Sequence, residues 1–126
     1  MKLKRDMELV FEILKKIVDS DHEDIYCRPI RLDGYQPEEI GYHLYLMDQA
    51  GLLEANVQET TVGPLYEATF FVEMKWDGYE FLEALQNDSV FEKFKAVLKE
   101  KGGNIPFKIA EELLLKLSST YFLNGV

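Results

Sequence analysis

Within the stretch "DHEDIYC", His22, Glu23, Asp24 and Cys27 form the densest group of metal-ligand and nucleophile side chains in the chain. Zinc sites built from local sequence use closely spaced pairs of cysteines, or a His-Glu-x-x-His helix that places two imidazoles on one face. This stretch has neither spacing and reads as a polar loop. His43 falls beside the apolar face of an expected helix, where a hydrogen-bonded structural histidine is the usual outcome, and no serine or cysteine neighbours it as a nucleophile. Gly102-Gly103 ahead of Pro106 lacks the longer glycine pattern and lysine-serine end of a phosphate loop, so it reads as a helix stop. Carboxylates are abundant, but acid–base work needs two of them in one cleft with their pKa values held apart. No catalytic, metal-binding or cofactor-binding residue is assigned on this basis, and an enzyme is not expected.

The elements that would position any site sit in a chain of 126 residues, long enough for one core and one domain over residues 1–126. Fourteen Lys and Arg against 23 Asp and Glu leave a net charge of -9, a field that repels phosphate backbones and anionic lipids. The basic residues gather early (Lys2, Lys4, Arg5, Lys15, Lys16) and late (Lys93, Lys95, Lys99, Lys101, Lys108, Lys116), alternating with Glu as on solvated helix faces. A single cysteine makes no intramolecular disulfide, and neither a signal peptide nor a long apolar run is present. These features point to the cytoplasm and away from a membrane.

Met7, Val10, Ile13, Leu14, Ile17 and Val18 recur at helical spacing, with acids at the start and lysines at the end as the helix dipole favours. Ile25 to Arg31 reads as a short edge strand around Pro29, and Gly34 as a turn. Pro37 with Glu38 and Glu39 opens a helix that runs to Ala50 and stops at Gly51. Leu53, Ala55 and Val57, then Tyr66 to Met74 after a turn at Val62-Gly63-Pro64, alternate as two antiparallel strands. Asp77 and Glu80, with Trp76 and Phe81 as a hydrophobic staple, start a third helix. Ser89 and Glu92 repeat the capping spacing for a fourth. Pro106 opens a fifth, with Phe107, Ala110, Leu113, Leu114, Leu117 and Tyr121 as a broad apolar stripe.

A helix closing on "AGLLEA" ahead of two strands is the arrangement of a recognition helix and wing. Across the chain, "KRDMELVFEIL", "EEIGYHLYLMDQAGLLEA", "WDGYEFLEALQNDSVFEKFK" and "EKGGNIPFKIAEELLLKL" resemble a family of small uncharacterised bacterial proteins, many carried by phages and prophages. That resemblance implies a winged-helix-like fold and unknown function, with no family catalytic residues. The expected class is therefore α+β and winged-helix-like: an N-terminal helix, a short strand, a recognition-type helix, a two-stranded wing hairpin, then three C-terminal helices as an extension.

On a helical wheel, Ile40, Leu44 and Met47 gather with His43 and Ala50 at the flanks and face the core. The opposite side carries Glu38, Gly41, Tyr42, Tyr45, Asp48 and Gln49. Base readout favours Arg, Lys, Asn and Gln, yet only Gln49 qualifies there, and Glu38 and Asp48 repel phosphates. The expected wing is equally free of Lys and Arg. DNA binding is thus disfavoured on this surface, and a regulator would have to draw phosphate contacts from helix one or from Lys93 to Lys108. Glu38, Tyr42, Tyr45, Asp48 and Gln49 are instead the candidate interaction surface for a protein partner, the tyrosines as anchors, unless later helices cover them. The last helix, with Leu113, Leu114, Leu115, Leu117, Tyr121, Phe122 and Leu123 on more than one face, is either buried on two sides or pairs in a homodimer.

Overall fold

The computed structural model of the chain describes residues 5–20, 30–59, 66–74, 79–102 and 105–124. Its contacts fall into two compact units, one of Met1–Arg5 with Asp19–Trp76 and one of Asp6–Val18 with Asp77–Val126. The first helix, α1 (Met7–Asp19), therefore belongs with the C-terminal helices, and the other unit is inserted between them in the chain.

The inserted unit holds α2 (Pro37–Gln49) and the strands β1 (Leu53–Glu59) and β2 (Tyr66–Met74). Proline suits the first position of α2 because its missing N–H needs no partner there. Gln36 precedes it, its backbone N–H donating to the Glu39 carboxylate at 3.1 Å. At the other end Gly51, at φ 78°, supplies the left-handed residue. Gly51 N–H donates to the Asp48 carbonyl and Leu52 N–H to the Met47 carbonyl, each at 3.0 Å, which closes the helix as a Schellman motif. β1 and β2 pair antiparallel, from Leu53 opposite Met74 to Glu59 opposite Tyr66, with two register shifts that leave β2 the longer strand. α2 lies against both strands. Ile40, Leu44, Met47, Leu53 and Ala55 are buried in this unit.

The helical unit comprises α1 with α3 (Tyr79–Gln86), α4 (Asp88–Glu100) and α5 (Phe107–Asn124). Asp6 caps α1: its carboxylate accepts from Glu8 N–H at 3.0 Å and from Leu9 N–H at 3.4 Å. Phe11 reaches from α1 to one phenylalanine on each other helix. Its ring stands 6.1 Å from Phe81 of α3, 4.7 Å edge-on from Phe94 of α4 and 5.2 Å stacked on Phe107 of α5. Phe11, Phe81 and Phe94 are buried, with Leu85, Leu98, Ala110 and Leu114 also in the core.

The winged-helix-like α+β expectation is corrected here: the described chain is mostly helical. Two expected strands do pair, but a winged helix would keep the N-terminal helix in the domain of the recognition helix, and α1 is instead joined to α3, α4 and α5 through Phe11. Among the described residues there are two strands; Ile30 and Arg31 are irregular, and the rest of the expected edge strand lies outside the described residues. The expected wing turn at Val62-Gly63-Pro64 and the Trp76-Asp77 cap also lie outside them. The cap of α4 is Asn87, whose side chain accepts from Val90 N–H at 3.0 Å, and not Ser89. Asn87 wins because its short amide oxygen reaches the free N–H one turn on.

Replacing Phe11 with alanine removes the ring shared by three aromatic contacts and is expected to cost about 3–5 kcal/mol. Amide exchange should show protection falling together across α1, α3, α4 and α5; loss confined to α1 would refute the hub role.

Candidate functional site

The side of α2 singled out from sequence is only partly open. Glu38, Tyr42, Tyr45 and Asp48 are half-buried, Gln49 is exposed, and Gly41 is buried although the wheel put it outside. Asp48 also holds the fold together, since its carboxylate accepts from Ala55 N–H at 3.2 Å and ties the end of α2 to the first register shift of β1. His43 is 1% exposed, with Nδ1 2.8 Å from the Glu39 carbonyl. A carbonyl only accepts, so Nδ1 carries the proton and the ring is fixed as a structural histidine. Tyr42 stands edge-on to it with ring centres 5.5 Å apart. His22, Glu23, Asp24 and Cys27 lie outside the described residues, and among the described residues no group of His, Cys, Asp and Glu is placed to hold a metal ion.

The basic residues that looked like two separate clusters meet acids across α1 and α4. Glu8 pairs with Lys99 at 3.5 Å, Glu12 with Lys95 at 3.0 Å and Lys15 with Asp88 at 2.7 Å, an antiparallel ladder whose members recur at one-face helical spacing on each helix. Lys95 also meets Glu92 at 3.4 Å. The ammonium groups of Lys15 and Lys95 each lie 5.5 Å from the centre of the Phe91 ring, which is buried between the rungs. Exposed ion pairs contribute about 0–1 kcal/mol. The Glu12–Lys95 rung, with both side chains 22% exposed, is the one most sheltered on both sides.

These contacts set the charges. Burial pushes the Lys95 ammonium down, but the hydrogen bond and charge of Glu12, helped by Glu92, outweigh it and hold Lys95 above the ordinary lysine value. The hydrogen bond and charge of Lys15 hold the Asp88 carboxyl below its ordinary value. On α5, burial raises Glu111, with Glu112 adding to it and Lys108 opposing.

A third feature was not foreseen. α3 and α5 enclose a groove of about 240 Å³ lined by Glu80, Glu83, Leu115, Ser118, Ser119 and Phe122. Glu80 and Glu83 lie one turn apart on α3, both exposed, and the other four make one stripe along α5. Ser118 is 8% exposed. The sequence carries one mark of it, Ser118, a polar residue one turn beyond Leu114 on the buried stripe of α5.

Past Ser118 that stripe continues to Tyr121 and Phe122, yet these are 36% and 51% exposed, and Leu123 is 80% exposed. Leu113 and Leu117, members of the broad apolar stripe read from the sequence, are half-buried. No described helix is long and apolar enough to cross a membrane.

A mostly helical chain with a closed aromatic core and an open end on its last helix is the class of protein that these features define. By sequence it belongs to the family described as "Hypothetical protein (DUF2513)", which matches residues 4–104. It is 29% identical over 100 residues to an "Uncharacterized protein" of Haemophilus influenzae, covering 79% of this chain and 81% of that one. No solved structure matches it. The family match ends before α5, the helix that supplies most of the groove.

The ladder gives a pH dependence whose sign follows from the shifts. Asp88, depressed in the fold, contributes stability above its unfolded pKa and loses it as pH falls through the folded value. Lys95, raised, contributes below its unfolded pKa and loses it as pH rises through the folded value. Raised Glu111 acts against Asp88 on the acid side, favouring the fold as it protonates. The Asp88 carboxyl is therefore best followed directly by NMR titration, where Lys15→Met is expected to return it to the ordinary carboxylate range. An unchanged midpoint would mean that the Lys15 contact does not persist in solution.

Proposed function

We propose that the protein is a non-catalytic protein-interaction module that docks a partner protein on the end of α5. The observation carrying this reading is the stripe of Ala110, Leu114 and Ser118, buried along most of the helix and then left open at Tyr121, Phe122 and Leu123. Apolar side chains that continue a core face into solvent are stabilised when a partner covers them. The side of α2 bearing Glu38, Tyr42, Tyr45, Asp48 and Gln49 is a second contact face, with the tyrosines as its anchors. The single cysteine supports a cytoplasmic setting, and the resemblance to phage- and prophage-carried proteins supports a place on mobile elements.

The alternative of a DNA-binding regulator needed a basic patch from helix one or from Lys93 to Lys108. Lys15, Lys95 and Lys99 pair with Asp88, Glu12 and Glu8, which withdraws three lysines from that patch. Fluorescence anisotropy of labelled duplex DNA should stay flat even at low salt, and steeply salt-dependent binding would restore the regulator reading.

The module reading is tested by a photo-cross-linking amino acid placed at position 123, with position 93 as an exposed control. A discrete adduct in cells at 123 and not at 93 is expected; its absence sinks the reading. Light scattering at micromolar concentration identifies the occupant. A dimer makes it a second copy docked through the last helix, and a monomer leaves the end of α5 to another protein.

A further inference from the structure

We propose that the groove between α3 and α5 receives an arginine side chain from a basic segment of the partner protein. This rests on the interaction-module reading and adds the chemistry of what is recognised. At about 240 Å³ the groove is below the roughly 300–1,000 Å³ of small-molecule and cofactor pockets. It is the size for one long side chain. Its rim carries Glu80 and Glu83, neither paired with a cation among the described residues.

The second observation is Ser118. It is 8% exposed, lines the groove, and makes no hydrogen bond to a described residue. A buried hydroxyl without a partner is destabilising, and native structures rarely leave one so. A guanidinium resolves both features. Its planar fork of five N–H donors reaches two carboxylates and a serine oxygen at once, all three accepting. Its flat face stacks on the half-exposed Phe122 ring while its methylene stem lies along Leu115.

Lysine fits less well, because a compact ammonium cannot span the two acids and the serine, nor stack. The net charge of -9 draws a basic segment toward the protein and repels a second copy of the chain.

The test is an NMR titration of the isotopically labelled full chain with N-acetyl-arginine amide. Saturable shifts confined to Glu80, Glu83 and the Leu115 to Phe122 stretch are expected, with a Kd on the order of 1 mM for one charged side chain. N-acetyl-citrulline amide, the uncharged isostere, should produce none. N-acetyl-lysine amide should bind about tenfold more weakly than the arginine probe. Glu83→Gln should weaken arginine about tenfold. Ser118→Ala, a substitution that suits a helix interior, should narrow the arginine-over-lysine preference and leave the fold intact.

No saturable shift, equal response to citrulline, or shifts elsewhere on the protein would overturn the assignment. If the arginine probe fails while cross-linking at position 123 still gives its adduct, the groove assignment falls and the module reading stands. If the probe binds but cross-linking gives none, the partner as source of the arginine is overturned. A dimer that covers the groove overturns it as well.

Discussion

The stacked and edge-on contacts of Phe11 are the constraint from which the helical unit follows. Four helices that share no strand ladder and no disulfide need one common point of dense packing, and Phe11 meets Phe81, Phe94 and Phe107 there. Aromatic pairs at these distances add about 0.5–1.5 kcal/mol each beyond the area they bury. Because the partners sit one per helix, the ring fixes all three neighbours against α1 together. The ion-pair ladder runs along the same packing of α1 on α4, with Glu8, Glu12 and Lys15 meeting Lys99, Lys95 and Asp88.

Much of this was legible in the sequence at the level of elements. Proline at 37, the acids behind it and Gly51 mark the ends of α2 because each answers a backbone requirement local to a few residues. His43 was readable as structural for the same reason: its neighbour one turn back supplies the hydrogen bond. What failed was the choice of partner for α1. Its apolar face states that it is buried, and helical periodicity says nothing of what covers it. Helix, strand pair and helices in order resemble a winged helix, but only side chains such as Phe11 decide which helices share a core.

The same distinction explains the surfaces. Lys95 and Lys99 on one side and Lys15 on the other read as solvated charge because Glu12, Glu8 and Asp88, which they meet, are far away in the chain. The groove was illegible as a site, since Glu80 and Ser118 come together only when α3 lies on α5. Ser118 did interrupt an apolar stripe, and that local anomaly is the kind of mark a buried polar site leaves in a sequence. Tyr42 and Asp48 show the reverse case. The helical wheel groups them on one side, yet the carboxylate of Asp48 commits one oxygen to Ala55 N–H, so a residue chosen for recognition also holds the strand.

The helices α1 and α5 both belong to the unit that Phe11 organises. On a ribosome this imposes an order of events. α1 is made before the helices that cover its apolar arc, while α2, β1 and β2 lie between them as a contiguous block able to close its own contacts. Phe107 comes from α5, which follows α1, α3 and α4 in the chain, so the aromatic cluster closes after those three helices have been made. Until Phe107 arrives, the side of the Phe11 ring that it stacks on stays uncovered in the growing chain, a face that other nascent chains can meet.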